Sequence, residues 1–388
     1  MATDALIVCV STQYWDEAWF RKQHFMSHLS RSRPVLYVEP SFSILRRGRT
    51  QMPPGQANRY VLPRLRKRGD RLWTLTPPRG LPFWTLERVS RWQYRFWGTL
   101  LRRTAGQLGF ERVRLWLYEP QYIQSVPTLK PERVIFDLVD DLGAYDAGSH
   151  ARHTMRRCVD AALERADLLL TTSKLLAEMY APRRLHVVPN GVRGDWIDRG
   201  YQSAPEEIRG LPHPRIGFTG AIFPYLDFDL LVSVARAFPS GCLVLVGAVY
   251  EPEAAARLAA EPNVLLLGPR PQEKIPDFLH AFDVCLSPFR AGDVRRAVNP
   301  LKVYEYLAAG RPVVSTPLDS LMGEPVAEEI RFAEGAEETI AHIQQALAED
   351  DATRRSRRKD AARAYTWESL SARVEDILTR AEREWGPP

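Results

Sequence analysis

Short apolar runs recur along this chain with helix-length stretches between them, and the alternation starts over near the middle. In the first half the runs predict strands from Ala5 to Ser11, Pro34 to Glu39, Val113 to Tyr118, Val134 to Leu138, Asp167 to Thr171 and Leu185 to Pro189. In the second they fall at Arg215 to Thr219, Cys242 to Gly247, Val264 to Leu267, Val284 to Leu286 and Val313 to Ser315. Runs this short and this continuously apolar suit strands covered on both faces, as in parallel sheets flanked by helices. Two successive series of βα units imply an α/β chain of two doubly wound, Rossmann-like domains. The first is expected over residues 1–195 and the second over 210–368. Between 193 and 214, Gly, Pro and mixed charge read as a linker.

A length of 388 residues gives both domains room for a core. The hydrophobic share of 45% and charged share of 26% are those of a soluble globular chain. No apolar run approaches the roughly 18 residues that a bilayer span needs. The N-terminal Met-Ala-Thr-Asp lacks a basic stretch and leads straight into a strand, so it reads as structure and not as a signal peptide. Cys9, Cys158, Cys242 and Cys285 have no paired spacing, which excludes zinc and dithiol motifs. Three of them lie inside strand runs as small core residues, and the usage fits a reducing cytoplasm.

The formal net charge of +6 favours anionic partners, and the positive charge is concentrated. Residues 42–112 hold 16 Arg and Lys against three Asp and Glu. Within them, Trp84 to Ala105 reads as an amphipathic helix. Val89, Trp92, Phe96 and Leu100 fall on one stripe, and Arg88, Arg91, Arg95 and Arg102 fall elsewhere. Such a helix packs on the core, or, with aromatics such as Trp84, Trp92, Phe96 and Trp97 beside arginines, lies on an anionic membrane surface. No nucleic-acid-binding module accompanies the charge, so nucleic acid is not expected as a partner.

The most sharply punctuated stretch is Ala297 to Leu318, Ala-Val-Asn-Pro-Leu-Lys-Val-Tyr-Glu-Tyr-Leu-Ala-Ala-Gly-Arg-Pro-Val-Val-Ser-Thr-Pro-Leu. Asn299 is expected as a helix N-cap and Pro300 at the first helical position. Gly310 suits the left-handed position after the helix, and Pro312 stops it before a buried strand. Lys302 in the first turn opposes the helix dipole. The arrangement makes sense if an anion docks there: free N–H groups and Lys302 hold a diphosphate together, and Glu305, on the same face, accepts from sugar hydroxyls. A surface Lys and a solvated Glu on an ordinary helix are the alternative.

The run Asn-Pro-Leu-Lys-Val-Tyr-Glu-Tyr-Leu-Ala-Ala-Gly-Arg-Pro-Val-Val resembles the donor-site signature of group-1 glycosyltransferases of the GT-B fold, with weaker echoes such as Val-Val-Pro-Asn-Gly-Val ending at Val192. The resemblance implies two Rossmann-like domains facing across a cleft, with the final helix, about 370–388, packing back on the first. It implies that the helix N-terminus (Asn299, Pro300, Leu301, Lys302) holds the diphosphate of a nucleotide-diphosphate sugar and that Glu305 binds its ribose. It also implies that Asn190 faces the cleft and that Gly220 lets the backbone approach the diphosphate. The Arg and Lys of the family's glycine loop are absent, so Arg290, Arg295 and Arg296 are expected to supply charge. No metal or other cofactor is expected. Asp227-Phe-Asp229 has the letters of a metal-binding pair but sits at a helix start, where dipole pairing explains it.

The implied reaction moves a sugar from the nucleotide-diphosphate sugar to a hydroxyl of a glycan or lipid-linked acceptor, in bacterial polysaccharide or glycolipid synthesis. The implied location is the cytoplasm, with peripheral attachment to the inner face of the plasma membrane. Retaining relatives carry two Glu separated by seven residues, the second matching Glu305. The first falls at position 297, which is Ala, and this favours an inverting mechanism with an Asp base. A nucleotide-sugar 2-epimerase and a non-catalytic nucleotide-sugar binder share the architecture and stay open.

Loops after the carboxyl ends of parallel strands are where α/β sheets bind ligands. After the first strand they offer Trp15, Arg21 and His24 as acceptor contacts and Asp16 as a reserve base. Core packing by Trp15 and Trp19 and helix capping by Asp16 compete with that reading. After Leu138 they offer Asp140 and Asp141. Adjacent like charges raise a pKa and suit a general base, whereas capping the next helix or pairing with Arg is the alternative.

Overall fold

The computed structural model describes residues 5–41, 62–80, 86–140, 149–180, 185–200, 203–292, 295 and 298–385. They fall into two compact units, one within residues 1–171, 176–188 and 374–388, the other within 172–175 and 189–373.

The first unit is built on β1 (Leu6–Val10), β2 (Val35–Val38), β3 (Arg64–Gly69), β4 (Leu72–Thr76), β5 (Val113–Leu117), β6 (Arg133–Leu138), β7 (Leu168–Thr171) and β8 (Leu185–Val187). In the sheet they lie in the order β3-β4-β2-β1-β5-β6-β7-β8. Neighbours run parallel except β3 and β4. Val8 of β1 lies opposite Leu36 of β2 on one side and Leu115 of β5 on the other. All five residues of β1 are buried, which is why its sequence shows no polar alternation. The chain therefore builds outward from β1 to one edge and then returns to build outward from β5 to the other.

The β3–β4 hairpin escapes the sequence reading. Arg-Leu-Arg-Lys-Arg-Gly has no apolar alternation, and its side chains are mostly exposed at the sheet edge. A cationic edge strand discourages pairing with another chain.

Two helices of this unit bear on function. Glu87–Gln107 begins three residues later than expected, and it buries Tyr94, Trp97 and Leu101. Trp97 stacks on Tyr122 at 5.4 Å between ring centres. The stripe read from the sequence is the outer one: Trp92 is 63% and Phe96 50% exposed. The final helix, Trp367–Trp385, buries Val374, Ile377 and Leu378. Arg33 donates to Glu375 and Glu382, and Arg133 lies over the Trp385 ring. Arg33 and Arg133 stand at the starts of β2 and β6, so this helix covers the amino ends of the strands.

The second unit is built on β9 (Arg215–Thr219), β10 (Cys242–Val246), β11 (Val264–Leu266), β12 (Val284–Ser287), β13 (Val313–Ser315) and β14 (Ile330–Phe332). All are parallel, in the order β11-β10-β9-β12-β13-β14. The strand order reverses between β9 and β12, as it does between β1 and β5 in the first unit. Residues 193–214 are not a free linker: Trp196, Ile197 and Ile208 are buried in the core of this unit. The four cysteines are free thiols and all are buried.

Candidate functional site

In a doubly wound sheet the loops leaving the two strands at the reversal point diverge, and the crevice they open is the usual ligand site. In the second unit that point lies after Thr219 and Ser287. The hydroxyl oxygens of both residues are buried without a partner among the described residues.

The helix Leu301–Ala308 enters this place. Its end follows the sequence closely. Gly310 has φ +71°, its N–H donates to Leu307 O at 2.8 Å, and the Arg311 N–H donates to Tyr306 O at 3.0 Å. This pair of bonds is the Schellman termination. Its start corrects the sequence. Pro300, not Asn299, is the N-cap residue, and among the described residues no side chain caps the helix. Asn299 is drawn elsewhere: its Oδ1 accepts from the Asn190 N–H at 3.0 Å, its carbonyl accepts from Asn190 Nδ2 at 2.7 Å, and its Nδ2 donates to Tyr304 Oη at 3.1 Å. Asn190 and Asn299 thus fix the entry of the helix; the Val303 N–H turns back to Pro300 O at 3.3 Å, and the N–H groups of Leu301 and Lys302 have no partner among the described residues. Tyr306 pins the helix to β9 by accepting from the Thr219 N–H at 2.9 Å.

Lys302 reaches the reversal point itself. Its Nζ lies 4.1 Å from the ring centre of Phe218, the penultimate residue of β9, and 5.1 Å from that of Phe289, just beyond β12. Gly220, with φ +127°, leaves room for it: a Cβ there would stand 3.3 Å from both Cε and Nζ. Among the described residues Lys302 makes no hydrogen bond or ion pair. Glu305 stands one turn on. Both residues are half-buried. Burial pushes the Lys302 ammonium down to about 7 and the Glu305 carboxyl up to about 7, and the charge of each partly offsets the shift of the other. A half-buried ammonium beside uncapped amide groups and a glycine turn is chemically suited to meet an anion.

Arg290 is exposed next to this site. Arg295 is not spare, because it is held by Glu334 and by Pro317 O. Asp227 caps the helix Phe228–Ala237 through the Leu230 N–H at 2.9 Å, and Asp229 pairs with Arg257. Arg296 and Ala297 lie outside the described residues.

In the first unit the reversal point lies after Val10 and Leu117. The acceptor set expected there is largely structural. Arg21 is buried, bonded through Nε to Asp137 Oδ2 at 2.9 Å, through Nη2 to Asp137 Oδ1 at 3.0 Å and through Nη1 to Val188 O at 2.8 Å. Trp15 is buried, edge-on to Trp19 and to Tyr37 at 5.0 Å in each case, and its N–H donates to Glu39. His24 packs edge-on to Trp19 at 5.4 Å. Asp16 neither caps a helix nor stands free: Arg66 and Arg68 of β3 hold it at 3.2 and 2.7 Å. Asp140 is half-buried after β6 and favours the charged form of Lys22. Asp141 lies outside the described residues.

Two residues that sequence reasoning passed over occupy the crevice. Lys22 Nζ donates to Thr12 Oγ1. Glu119 follows β5 directly, and burial pushes its carboxyl up to about 7. The signal for Glu119 was its place in Tyr-Glu-Pro immediately beyond a strand, the same rule that singled out residues 12–24.

Residues 213–350 match the family model described as glycosyl transferases group 1. The chain is 29% identical over 282 residues to the putative teichuronic acid biosynthesis glycosyltransferase TuaH of Bacillus subtilis, covering 68% of this chain and 71% of that protein. Among solved structures, sucrose-phosphate synthase from Thermosynechococcus elongatus superposes with a TM-score of 0.72 at 15% identity, over 98% of this chain and 100% of the other. HepE of Anabaena in complex with UDP gives 0.62 at 15% identity, over 97% and 100%. The helix Leu301–Ala308 lies in the segment that matches the group-1 glycosyltransferases, and the whole chain has the GT-B fold.

Proposed function

We propose that this glycosyltransferase uses a UDP-sugar, holds its diphosphate at Lys302 and the uncapped start of the helix Leu301–Ala308, and holds its ribose at Glu305. The observation that carries the reading is Lys302 itself: a desolvated ammonium between Phe218 and Phe289, without a protein anion in contact among the described residues. A diphosphate supplies the missing charge, and Lys302 and the amide groups stabilise the charge that grows on it as the sugar leaves. Gly220 and the exposed Arg290 border the same site. No metal ion enters this scheme. UDP comes from the HepE complex, and a surface-polymer acceptor from the name of the Bacillus relative.

A lipid-linked acceptor is favoured over a free glycan by the outer face of the helix Glu87–Gln107. Trp92 and Phe96 stack there at 6.2 Å, with Arg88, Arg91 and Arg95 exposed around them. Trp97 is withdrawn into the core, and Trp84 lies outside the described residues. No described helix is long and apolar enough to cross a membrane, so attachment is peripheral, to an anionic leaflet.

Calorimetric titration with UDP tests the donor site. Lys302→Ala and Glu305→Ala each remove a charge-assisted contact worth roughly 1.5–3 kcal/mol, about ten- to a hundredfold in affinity. Wild-type affinity in both variants refutes the assignment.

A further inference from the structure

We propose that the first unit holds the aliphatic chain of a lipid-phosphate acceptor in a cavity between the helices Glu87–Gln107 and Ser149–Arg165. The proposal rests on the lipid-linked-acceptor reading above, concerns the first unit alone and uses no residue of the donor site.

The cavity measures about 370 Å³, within the roughly 300–1,000 Å³ of small-molecule sites. Three elements wall it: the start of the helix Glu87–Gln107, the turn Pro120–Ser125 that follows β5, and the middle of the helix Ser149–Arg165. Leu86, Ile123, Cys158 and Ala161 supply apolar surface. Ser90 and Cys158, both buried, mark its inner end. The polar groups there meet one another: Gln124 Nε2 donates to Ser90 Oγ at 2.9 Å and approaches Cys158 Sγ at 3.8 Å. Burial pushes the Cys158 thiol up to about 11, so it carries no charge at pH 7. Such a lining offers little to a sugar and suits methylene groups.

The mouth is cationic. Arg91, His153 and Arg157 line it and are exposed. Glu87 bridges the two arginines: Arg91 pairs with it, and Arg157 donates through Nη2 to Oε1 at 3.2 Å and through Nη1 to Oε2 at 3.3 Å. Two guanidinium groups against one carboxylate leave positive charge in excess, and each guanidinium carries more N–H donors than Glu87 uses. A phosphate at the mouth meets both, with its chain running inward. Leu86, 52% exposed, stands at the same mouth. Arg91 is followed directly by Trp92, so the cavity opens beside the Trp92–Phe96 pair read above as a membrane face. That continuity, with the charge, commits the occupant to a lipid phosphate.

The inner end favours the acceptor over bulk leaflet lipid. The turn Pro120–Ser125 begins immediately after Glu119, which accepts from Tyr94 Oη at 3.1 Å and feels the charge of Lys22 in the crevice after β1 and β5. The Glu119 charge also reaches Cys158. A chain seated in the cavity therefore lies against the ligand crevice of its own unit.

The test titrates the full chain by calorimetry with hexyl, octyl and decyl phosphate, each below its micelle concentration. Every methylene buried strengthens binding about fourfold, so decyl phosphate is expected to bind roughly a hundredfold tighter than hexyl phosphate. Ala161→Phe fills the cavity and is expected to remove most of that gain. Arg157→Glu, at an exposed position, is expected to weaken all three roughly tenfold and leave the chain-length dependence intact. Equal affinity for the hexyl and decyl compounds overturns the proposal, and so does a chain-length dependence that survives in folded Ala161→Phe. Should that variant not fold, unchanged affinity in Arg157→Glu overturns the site on its own. Dihexanoyl phosphatidylglycerol is the leaflet probe: binding as tight as that of decyl phosphate assigns the cavity to bulk lipid and ends the acceptor role. Vesicle sedimentation is read separately. Protein that sediments without any chain-length dependence keeps the membrane face and loses the cavity; protein that stays in the supernatant yet binds decyl phosphate in the expected pattern loses the membrane face and keeps the cavity.

Discussion

Binding of UDP should draw a proton out of solution, and Lys302 is the group that takes it. In the free protein burial holds this ammonium at about 7. A diphosphate beside it restores the charged form, so the bound value moves back toward the ordinary 10.4. At pH 8 a group with a pKa of 7 is about 9% protonated when free, so binding takes up close to 0.9 proton; at pH 7 it takes up about 0.5. Linkage then makes the affinity depend on pH: the association constant falls about eightfold between pH 7.5 and 8.5.

The terminal phosphate of UDP takes its own second proton near pH 6, well below this window, and adds little at pH 8. Calorimetry in two buffers of different ionisation enthalpy measures the uptake directly. Lys302→Met should abolish the uptake at pH 8 along with most of the affinity. Glu305→Gln removes the charge that supports the ammonium, so Lys302 falls further and the onset of uptake moves to lower pH. Equal heats in the two buffers at pH 8, or uptake that survives in Lys302→Met, would show that Lys302 is already charged or lies away from the ligand.

Breaking the Arg21–Asp137 pair from one side, as Arg21→Met or Asp137→Asn, leaves a buried charge unpaired and should cost roughly 3–5 kcal/mol in urea unfolding; a loss under about 1 kcal/mol would return Arg21 to the acceptor set. Glu119 sits above its ordinary value of 4.5 when folded, so its contribution to stability falls as pH rises from 4.5 through 7. Glu119→Gln should therefore gain on wild type by about 1–3 kcal/mol between pH 5 and pH 8, read as a shift in urea midpoint, and an unchanged difference contradicts this. The protein should sediment with anionic vesicles at low salt and be released at high salt, each arginine near the surface being worth about 1 kcal/mol, and the paired change Trp92→Ala with Phe96→Ala should weaken binding further. Protein left in the supernatant at low salt ends the membrane proposal.

The helix Leu301–Ala308 was legible because its signals are local. Gly310 and Pro312 act through their own backbone, and Lys302 stood out by opposing a dipole four residues away at most. The buried strands were legible because continuous apolar runs have few other uses. Asn299 misled because its side chain answers to Asn190, which is remote in sequence and adjacent in space. Arg21 misled for the same reason, its partner being Asp137. The hairpin strand Arg64–Gly69 carries charge where a strand usually carries apolar residues, since it has an edge to protect. Glu119 went unmarked because its chemistry comes from Tyr94, Lys22 and burial, none of which is visible in Tyr-Glu-Pro.

The helix over the amino ends of the first sheet has a consequence for how the protein is made. Residues 374–388 belong to the unit begun at the N-terminus, yet they follow residue 188 by about 185 positions. At roughly 5–20 residues per second, a ribosome needs on the order of 10–40 s to cross that interval. Throughout it Arg33 and Arg133 lack Glu375, Glu382 and Trp385, and the surface that meets Val374, Ile377 and Leu378 stands in water. The second unit, whose described strands are complete by Phe332, closes before the first one can. A stalled or shortened chain would therefore present a finished second unit while the first sheet still has an open end, and that end is where chaperone capture or aggregation should begin.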